Sequence, residues 1–538
     1  MRVTFVAMGC EQLPISLLAG IARREGHTVG LAFSPSLFDD KYSLDLPMLA
    51  RVFDDRSAVL DAIRIQRPDV LAFSALTNTY QWMLGIARDA KQMLPDVRVV
   101  FGGVHASAVP HNVLARPEVD YVCVGEGDVA FPALLCGLES GGLNGPVSNL
   151  AYKGADGETI QGPQDGFIQD LDSLPAFDKR IWEDHIRIRD DYMTMAGRGC
   201  PYRCTFCFNS FFARLQGGTK GKYVRTRSVE HLMAELVHAK RRYNPRFIEF
   251  LDDVFTVDKA WLEPFLKRYK REIRVPFACL THPRYVDDDI ARWLKEAGCV
   301  AAQMGVQSLD DTFKRTQLKR FETAAHVSDA IDALNRHGIP IKADHIFGLP
   351  GESPAAQEAA RLHYAEHTPA RIDTFWATYF PGTDMVQQGL ALGLIDESDV
   401  AAINEGELRS YHDGGSVPTE HHRTLRAYDI LFRAMPMLPR RVRGDARILE
   451  LLERLPDRAA HLTGLVADGL NGLRAGSNDH IAYGAHYLYW MARVMASRAG
   501  VTLPPATRAV DIDPPMAAPR SKDTATAPRT VRLPLAAG

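Results

Sequence analysis

Short apolar runs alternate with helical patterns through the first 140 residues. Runs of Val, Ile, Leu and Phe occupy residues 3–7, 28–33, 70–74, 97–103 and 121–127, with helix-type spacing near 14–25 and 80–93. Continuous apolar strands separated by helices are typical of a parallel sheet that is covered on both faces. The pattern therefore predicts an α/β domain of doubly wound, Rossmann-like topology over residues 1–140.

Small and polar residues follow the predicted strands of this domain. The carboxyl ends of the strands are the usual ligand-binding edge of a doubly wound sheet. Glycines there can also serve only a tight turn, so they indicate a place for a ligand and not its identity. The residues that fall at this edge are Ser74, Thr77, Gly102, Gly103, Gly125, Glu126 and Gly127.

The pattern changes after residue 140. Glycine-proline pairs and few apolar runs predict a linker over 141–190. Six further strand patterns, each followed by a helical one, then predict an incomplete (β/α)6 barrel over 191–390. Residues 391–500 have helical spacing, and the Pro-, Ala- and Thr-rich residues 501–538 predict a disordered tail.

Composition excludes several classes of protein. The 538 residues carry 63 Lys plus Arg and 66 Asp plus Glu, so a net charge of -3 provides no global attraction for nucleic acid. No apolar run reaches the 18 residues of a membrane span, and the first residues continue into a strand pattern, so we expect a cytoplasmic protein. Eight cysteines are too few for a disulfide scaffold.

Three of the cysteines are clustered as Cys200, Cys204 and Cys207, directly after the first predicted barrel strand. Three thiolates on one loop can bind three irons of a cubane cluster and leave the fourth iron open to another ligand. A zinc site would favour a second cysteine pair or nearby histidines, which this segment lacks. The other cysteines have apolar neighbours and are expected to be buried packing residues: Cys10, Cys123, Cys136, Cys279 and Cys299.

The C-x3-C-x-aromatic-C motif, with Phe206 as its aromatic residue, resembles the radical S-adenosylmethionine (SAM) superfamily. The resemblance implies a [4Fe-4S] cluster whose open iron binds SAM and whose electron cleaves it. It also implies SAM contacts by place in the barrel: Asp252 and Asp253 at the amino group, Gln307 and Ser308 at the ribose, and Gly348 in a turn close to the cofactor. The family often has glutamate at the position of Gln307. The charged pair Lys319 and Arg320 faces either a carboxylate or solvent.

A doubly wound domain placed before such a barrel resembles the cobalamin-dependent branch of the superfamily, in which the edge residues named above would bind cobalamin. Many cobalamin domains carry Asp-x-His-x-x-Gly after the first strand. Here that loop reads Met8 to Gln12 without histidine, and the first histidine is His27, at the start of the second strand. Two interpretations remain open: cobalamin bound without a histidine ligand, or a domain that binds no cobalamin.

The resemblance implies a cobalamin-dependent radical SAM methyltransferase that modifies an unactivated centre of a small molecule or natural product. Its expected cofactors are a [4Fe-4S] cluster, SAM and cobalamin, and its expected reducing partner is a flavodoxin or ferredoxin. No side chain is assigned a catalytic role. A cyclase, or a ring-rearranging or oxidising enzyme with the same cofactors, is the first alternative. A non-catalytic cobalamin or iron-sulfur sensor or carrier is the second.

Overall fold

The computed structural model describes residues 1–40, 44–154, 157–215, 221–407, 421–475, 478–501 and 503–512. Two sheets dominate these residues, a largely parallel one of seven strands and a fully parallel one of six. Both are covered by helices, as the apolar strand patterns predict. No helix in these ranges is long and apolar enough to cross a membrane.

The first domain has the doubly wound arrangement. Its sheet runs in the order β2-β1-β5-β6-β7-β8-β9, so the order in which strands are added reverses between β1 and β5. Its strands are β1 (Arg2–Met8), β2 (Thr28–Ser34), β3 (Asp39–Asp40), β4 (Leu44–Asp45), β5 (Val70–Ser74), β6 (Arg98–Gly102), β7 (Tyr121–Cys123), β8 (Leu150–Lys153) and β9 (Thr159–Gln161), with β3 and β4 forming a separate pair. Its helices are α1 (Leu13–Arg24), α2 (Pro47–Val52), α3 (Arg56–Gln66), α4 (Tyr80–Met93), α5 (Gly103–Ala108), α6 (Pro110–Leu114) and α7 (Gly127–Glu139).

The first sheet continues into the predicted linker. Strand β8 pairs antiparallel with β7, and β9 pairs antiparallel with β8. The three β8 residues that pair with β7, Leu150, Ala151 and Tyr152, are all buried, and so the hairpin extends the core of the first domain. The linker proper therefore begins after Gln161.

The second domain confirms the partial barrel. Its six main strands are all parallel and follow chain order, β10-β13-β14-β15-β16-β17. The strands are β10 (Tyr192–Thr194), β11 (Gly197–Arg198), β12 (Arg225–Thr226), β13 (Ile248–Phe250), β14 (Phe277–Thr281), β15 (Cys299–Gln307), β16 (Ile341–Phe347) and β17 (Arg371–Trp376). The helices are α8 (Phe208–Leu215), α9 (Val229–Tyr243), α10 (Lys259–Glu272), α11 (Asp288–Ala297), α12 (Asp311–Thr316), α13 (Ala324–Arg336) and α14 (Pro354–Glu366).

In most of the barrel strands, buried residues alternate with partly exposed ones. In β16, Ala343, His345 and Phe347 are buried against the outer helices, whereas Asp344 and Ile346 are partly exposed on the other face. Successive strand residues point to opposite faces. The partly exposed set therefore lines the open interior of the barrel.

The remaining chain is helical: α15 (Asp384–Ala391), α16 (Glu397–Asn404), α17 (His422–Ala434), α18 (Arg440–Arg443), α19 (Arg447–Glu453), α20 (Asp457–Ala475) and α21 (Asn478–Arg498). The predicted tail differs from the structure over 503–512, which lies against the linker and barrel. Thr507 donates its N–H to Glu183 O at 2.8 Å, and Arg242 donates to Val510 O at 2.7 Å. These bonds satisfy the extended backbone, which explains why a Pro-rich segment packs here. Residues 513–538 lie outside the described residues.

Candidate active site

The cysteine loop links β11 to α8. Gly199 opens it with φ +86°, and a Cβ at this position would lie 2.4 Å from Tyr223 O, so only glycine fits. The Cys207 N–H donates to Cys204 O at 3.2 Å, and the Ser210 N–H donates to Cys207 O at 3.1 Å. These bonds close the loop and begin α8, so the three thiols lie on one tight turn.

The surroundings of the thiols fit a cluster. Burial raises the pKa of Cys200 and of Cys207 to about 12, and the neighbouring thiols and Asp253 add to the rise. Such thiols need a metal to become thiolates. Among the described residues, no three His, Cys, Asp or Glu side chains are grouped around one ion-sized point. A cubane does not require this, since each thiolate binds a different iron.

Asp252 and Asp253, both predicted to contact the SAM amino group, have different roles. Asp252 is buried, and its two oxygens accept the backbone N–H groups of Ala196 at 2.8 Å and Gly197 at 2.6 Å. These bonds hold the turn that leads into the cysteine loop, so Asp252 positions the loop. Burial raises the pKa of Asp252 to about 7. Asp253 accepts a bond from Asn209 Nδ2 at 2.7 Å, beside Cys207.

The other predicted SAM residues lie at the carboxyl ends of the barrel strands. Gln307 has φ +67° at an irregularity of β15, and its buried Oε1 has no hydrogen-bond partner among the described residues. Ser308 is buried beside it. Gly348 ends β16 with φ +73°, and Phe206 packs against the apolar cluster that contains Leu349 of the same turn. An orphaned acceptor beside a glycine turn fits a ribose hydroxyl, and the SAM roles of these residues stay predictions.

The predicted cobalamin edge is formed by close backbone approaches. Gly103 has φ +88°, and a Cβ there would lie 2.8 Å from both N and O of Ala75. Ser74, Gly102, Gly125 and Gly127 are partly exposed at the same edge. Thr77 is instead buried, with its Oγ1 3.3 Å from His105 Nδ1. The half-exposed glycines leave room for a planar group to approach the sheet edge.

Glu126 connects the two domains. Its carboxylate accepts bonds from Arg225 at 2.9 and 2.6 Å, and Arg198 Nη1 lies 3.1 Å away. Arg198 also donates to Asp128 at 2.5 and 3.2 Å. We call the Glu126–Arg225 and Asp128–Arg198 contacts the interdomain salt bridges. Glu126 therefore joins the two domains, a contact that no local motif could have indicated, and its cobalamin role stays a prediction.

The five other cysteines do not share one environment. Cys123, Cys279 and Cys299 are buried, as predicted. Cys10 and Cys136 are exposed, so the packing role predicted for them is wrong. Cys10 lies in the turn after β1, and Cys136 lies on the outer side of α7, where apolar neighbours in sequence do not bring burial.

Two family matches agree with this division of the chain. Residues 4–135 match the B12 binding domain, and residues 195–363 match the radical SAM superfamily. The first range covers the doubly wound sheet and the second contains the cysteine loop.

Two relatives and one solved structure extend the comparison. An uncharacterized methyltransferase of Pyrococcus horikoshii is 26% identical over 71% of this chain and 82% of its own length. An anaerobic magnesium-protoporphyrin IX monomethyl ester cyclase of Rubrivivax gelatinosus is 24% identical over 70% of this chain and 65% of its own. The cobalamin-dependent SAM radical enzyme OxsB, solved with aqua-cobalamin and SAM, has a TM-score of 0.62 at 14% identity over 93% of this chain and 84% of its own.

Proposed function

We propose that this cobalamin-dependent radical SAM enzyme, which joins a B12-binding domain to a radical SAM domain, is a methyltransferase. Its substrate is a small molecule or natural product with an unactivated carbon or phosphorus centre. It acts in the cytoplasm, and a flavodoxin or ferredoxin provides its electrons.

The observation that carries the proposal is the place of the interdomain salt bridges. Glu126 lies in the loop after β7 and Asp128 in the first turn of α7, at the predicted cobalamin edge. Their partner Arg198 is two residues before Cys200. The predicted cobalamin edge and the cysteine loop are therefore held next to each other, and this proximity supports direct methyl transfer to a substrate radical.

When bound, the cluster supplies the electron that cleaves one SAM molecule to the hydrogen-abstracting radical, and cobalamin carries a methyl group that a second SAM molecule supplies. The cluster would be held by Cys200, Cys204 and Cys207. The chain itself orients these groups: Asp252 fixes the entry to the cysteine loop, and Gly103 and Gly125 shape the opposite edge.

Aromatic side chains surround the space beside the cysteine loop. Phe208 packs on Phe380 with ring centroids 5.2 Å apart, and Phe211 packs on Phe212 at 5.7 Å. Phe167 of the linker lies 6.4 Å from Phe212 and would be 3.2 Å from a Cβ on Gly125. Apolar walls of this kind exclude solvent from the site and so limit side reactions of a reactive intermediate. They also favour a substrate with an apolar or aromatic body.

The test needs no knowledge of the substrate. Anaerobic protein loaded with iron, sulfide and hydroxocobalamin is incubated with SAM and dithionite, and two products are quantified. A methyltransferase remethylates cobalamin from SAM, so we expect S-adenosylhomocysteine as well as 5'-deoxyadenosine. The triple variant Cys200→Ala, Cys204→Ala, Cys207→Ala should lose 5'-deoxyadenosine, whereas Cys279→Ala, a buried cysteine outside the loop, should keep it.

A cyclase is the second candidate because the Rubrivivax relative carries that activity in its name. Formation of 5'-deoxyadenosine without S-adenosylhomocysteine would contradict methyl transfer and support the cyclase. Formation of neither product would support a sensor or carrier. With a substrate in hand, a product heavier by one CH2 unit supports methyl transfer, and one lighter by two hydrogens supports cyclisation.

A further inference from the structure

A buried guanidinium lies against the cysteine loop. Arg320 is 5% exposed and donates Nε–H to Glu322 Oε1 at 2.6 Å and Nη2–H to Gly305 O at 2.7 Å. Its third group, Nη1, lies 3.9 Å from Cys204 Sγ, within the range of an N–H···S bond. Two firm bonds therefore aim the remaining N–H groups at one cysteine sulfur.

The same cluster of side chains returns to the cysteine loop by another path. Glu322 is 1% exposed, and its Oε2 lies 3.4 Å from His282 Nε2. The His282 ring stacks on Tyr202 with centroids 4.1 Å apart and planes 22° apart. Tyr202 stands between Cys200 and Cys204 in the chain. The contacts thus form a closed ring around one side of the cysteine loop.

The charges in this ring are defined by their partners. Burial alone would raise the pKa of the Glu322 carboxyl, but His282 and Arg320 lower it to about 2. Burial lowers the pKa of His282 to about 4, so its ring is neutral at neutral pH. Lys314 Nζ lies 4.0 Å from Glu322 Oε1 and 3.3 Å from Asp311. Arg320 is the cation that lies nearest to a cluster thiol among these groups.

We propose that Arg320, held by Glu322 and by Gly305 O, is a positioning residue. Its guanidinium keeps a positive charge beside the Cys204 sulfur and thereby raises the reduction potential of the cluster bound there. The proposal rests on the cluster site and not on methyl transfer. Reduction adds one negative charge to the cluster, so a fixed cation at one of its sulfurs favours the reduced state. Because Arg320 is almost fully buried, water and salt screen this attraction little.

The neighbouring residue provides a matched control. Lys319 carries the same charge, but its side chain is 53% exposed and pairs with Asp384 at 2.7 Å. Solvent screens an exposed charge of this kind, so it has little electrostatic effect on a buried group. Of this adjacent pair, the structure thus places one cation at the cluster and the other in solvent.

The experiment is an anaerobic redox titration of the reconstituted full-length protein, without SAM, followed by electron paramagnetic resonance of the reduced cluster. In Arg320→Met, we expect the reduced-to-oxidised ratio at a fixed potential to fall at least tenfold, which is about 59 mV for one electron. In Lys319→Met it should equal the wild-type ratio. In Glu322→Gln, which removes the counter-charge, the ratio should rise.

Opposite shifts in Arg320→Met and Glu322→Gln are the signature of charge, because simple loosening of the loop would move both variants in one direction. Equal ratios in wild type and Arg320→Met, shifts of the same sign in both variants, or an equal shift in Lys319→Met would each overturn the proposal. Iron and sulfide per chain are measured alongside. If Arg320→Met holds no iron, Arg320→Lys and Glu322→Gln carry the test, and wild-type ratios in both overturn it. Wild-type protein without iron would instead contradict the cluster site itself.

Discussion

Loss of Arg225 should release the loop after β7 from the barrel. The Arg225 side chain is 3% exposed and its guanidinium makes four bonds, two to Glu126, one to Ile168 O at 2.9 Å and one to Tyr223 O at 3.1 Å. It also lies 5.2 Å from the ring centroid of Phe167. Arg225→Met keeps the apolar stem that packs on Phe167 but leaves the Glu126 carboxylate with Arg198 alone, 3.1 Å away.

Removal of one partner from a buried ion pair costs about 3–5 kcal/mol. Glu126 is 18% exposed and keeps Arg198, so we expect a cost below this range, about 2–3 kcal/mol. Local opening of the loop after β7 should then become about 30- to 150-fold more frequent. Glu126→Gln keeps the shape of the side chain and one acceptor oxygen, so we expect this variant to lose only about 1 kcal/mol of stabilisation.

Native-state hydrogen exchange of residues 121–128 measures this opening. The Arg2→Met variant is a control, because its pair with Asp69 is exposed at 52% and 39% and should contribute below about 1 kcal/mol. The double variant Glu126→Gln, Arg225→Met should cost no more than Arg225→Met alone, since both changes remove one interaction. Unchanged exchange at 121–128 in Arg225→Met, or an equal increase throughout the chain, would refute the reasoning.

Three further predictions concern backbone, protonation and cobalt. Gly103→Ala should lower stability by about 2–5 kcal/mol and weaken hydroxocobalamin retention, measured by thermal unfolding and absorbance, because the new Cβ meets Ala75. Gly9→Ala, at φ +85° with no atom within 4 Å, should cost only about 1–2 kcal/mol, and an equal loss in both would contradict the argument. Burial lowers the pKa of His345 from 6.5 to about 4, so the unfolded chain binds a proton that the folded chain refuses. Stability should therefore fall as pH drops from about 6.5 to about 4, and urea midpoints of His345→Gln should show a flatter acid limb. Paramagnetic resonance of bound cob(II)alamin should show no splitting by a lower nitrogen ligand, since His27 contacts the Met1 amino group at the far end of the sheet and His105 is fully buried against Tyr80. A nitrogen splitting that persists would mean that a side chain or the cobalamin base occupies the lower position.

Local patterns predicted the elements that depend on local sequence. The apolar run at 341–348 corresponds to β16 (Ile341–Phe347), because alternating side chains show directly in the sequence. Strand β17 (Arg371–Trp376) begins three residues before the predicted run at 374, since Arg371 and Asp373 interrupt its apolar pattern. The cysteine loop was predictable for the same reason: all three ligands lie within eight residues.

The roles of single polar residues were not predictable, because their partners are distant in the chain. Asp252 bonds to Gly197, 55 residues away, and Glu126 bonds to Arg225, 99 residues away. Each lies at the predicted strand end, and each also holds backbone or another domain through a contact that the local sequence does not show, while its cofactor role stays a prediction. Arg320 and Lys319 are adjacent and equally charged, and only the tertiary fold separates a buried cation from a solvated one.

These long-range contacts converge on one short segment, residues 196–200. Asp252 binds the backbone of Ala196 and Gly197, Arg198 binds Asp128 of the first domain, and Gly199 must remain glycine against Tyr223. Cys200 follows directly. The domains cannot separate without breaking contacts two residues from a cluster cysteine. The spacing between the predicted cobalamin edge and the cysteine loop is therefore set by the same bonds that shape the loop, and these bonds would hold the two predicted cofactor sites in one fixed relation.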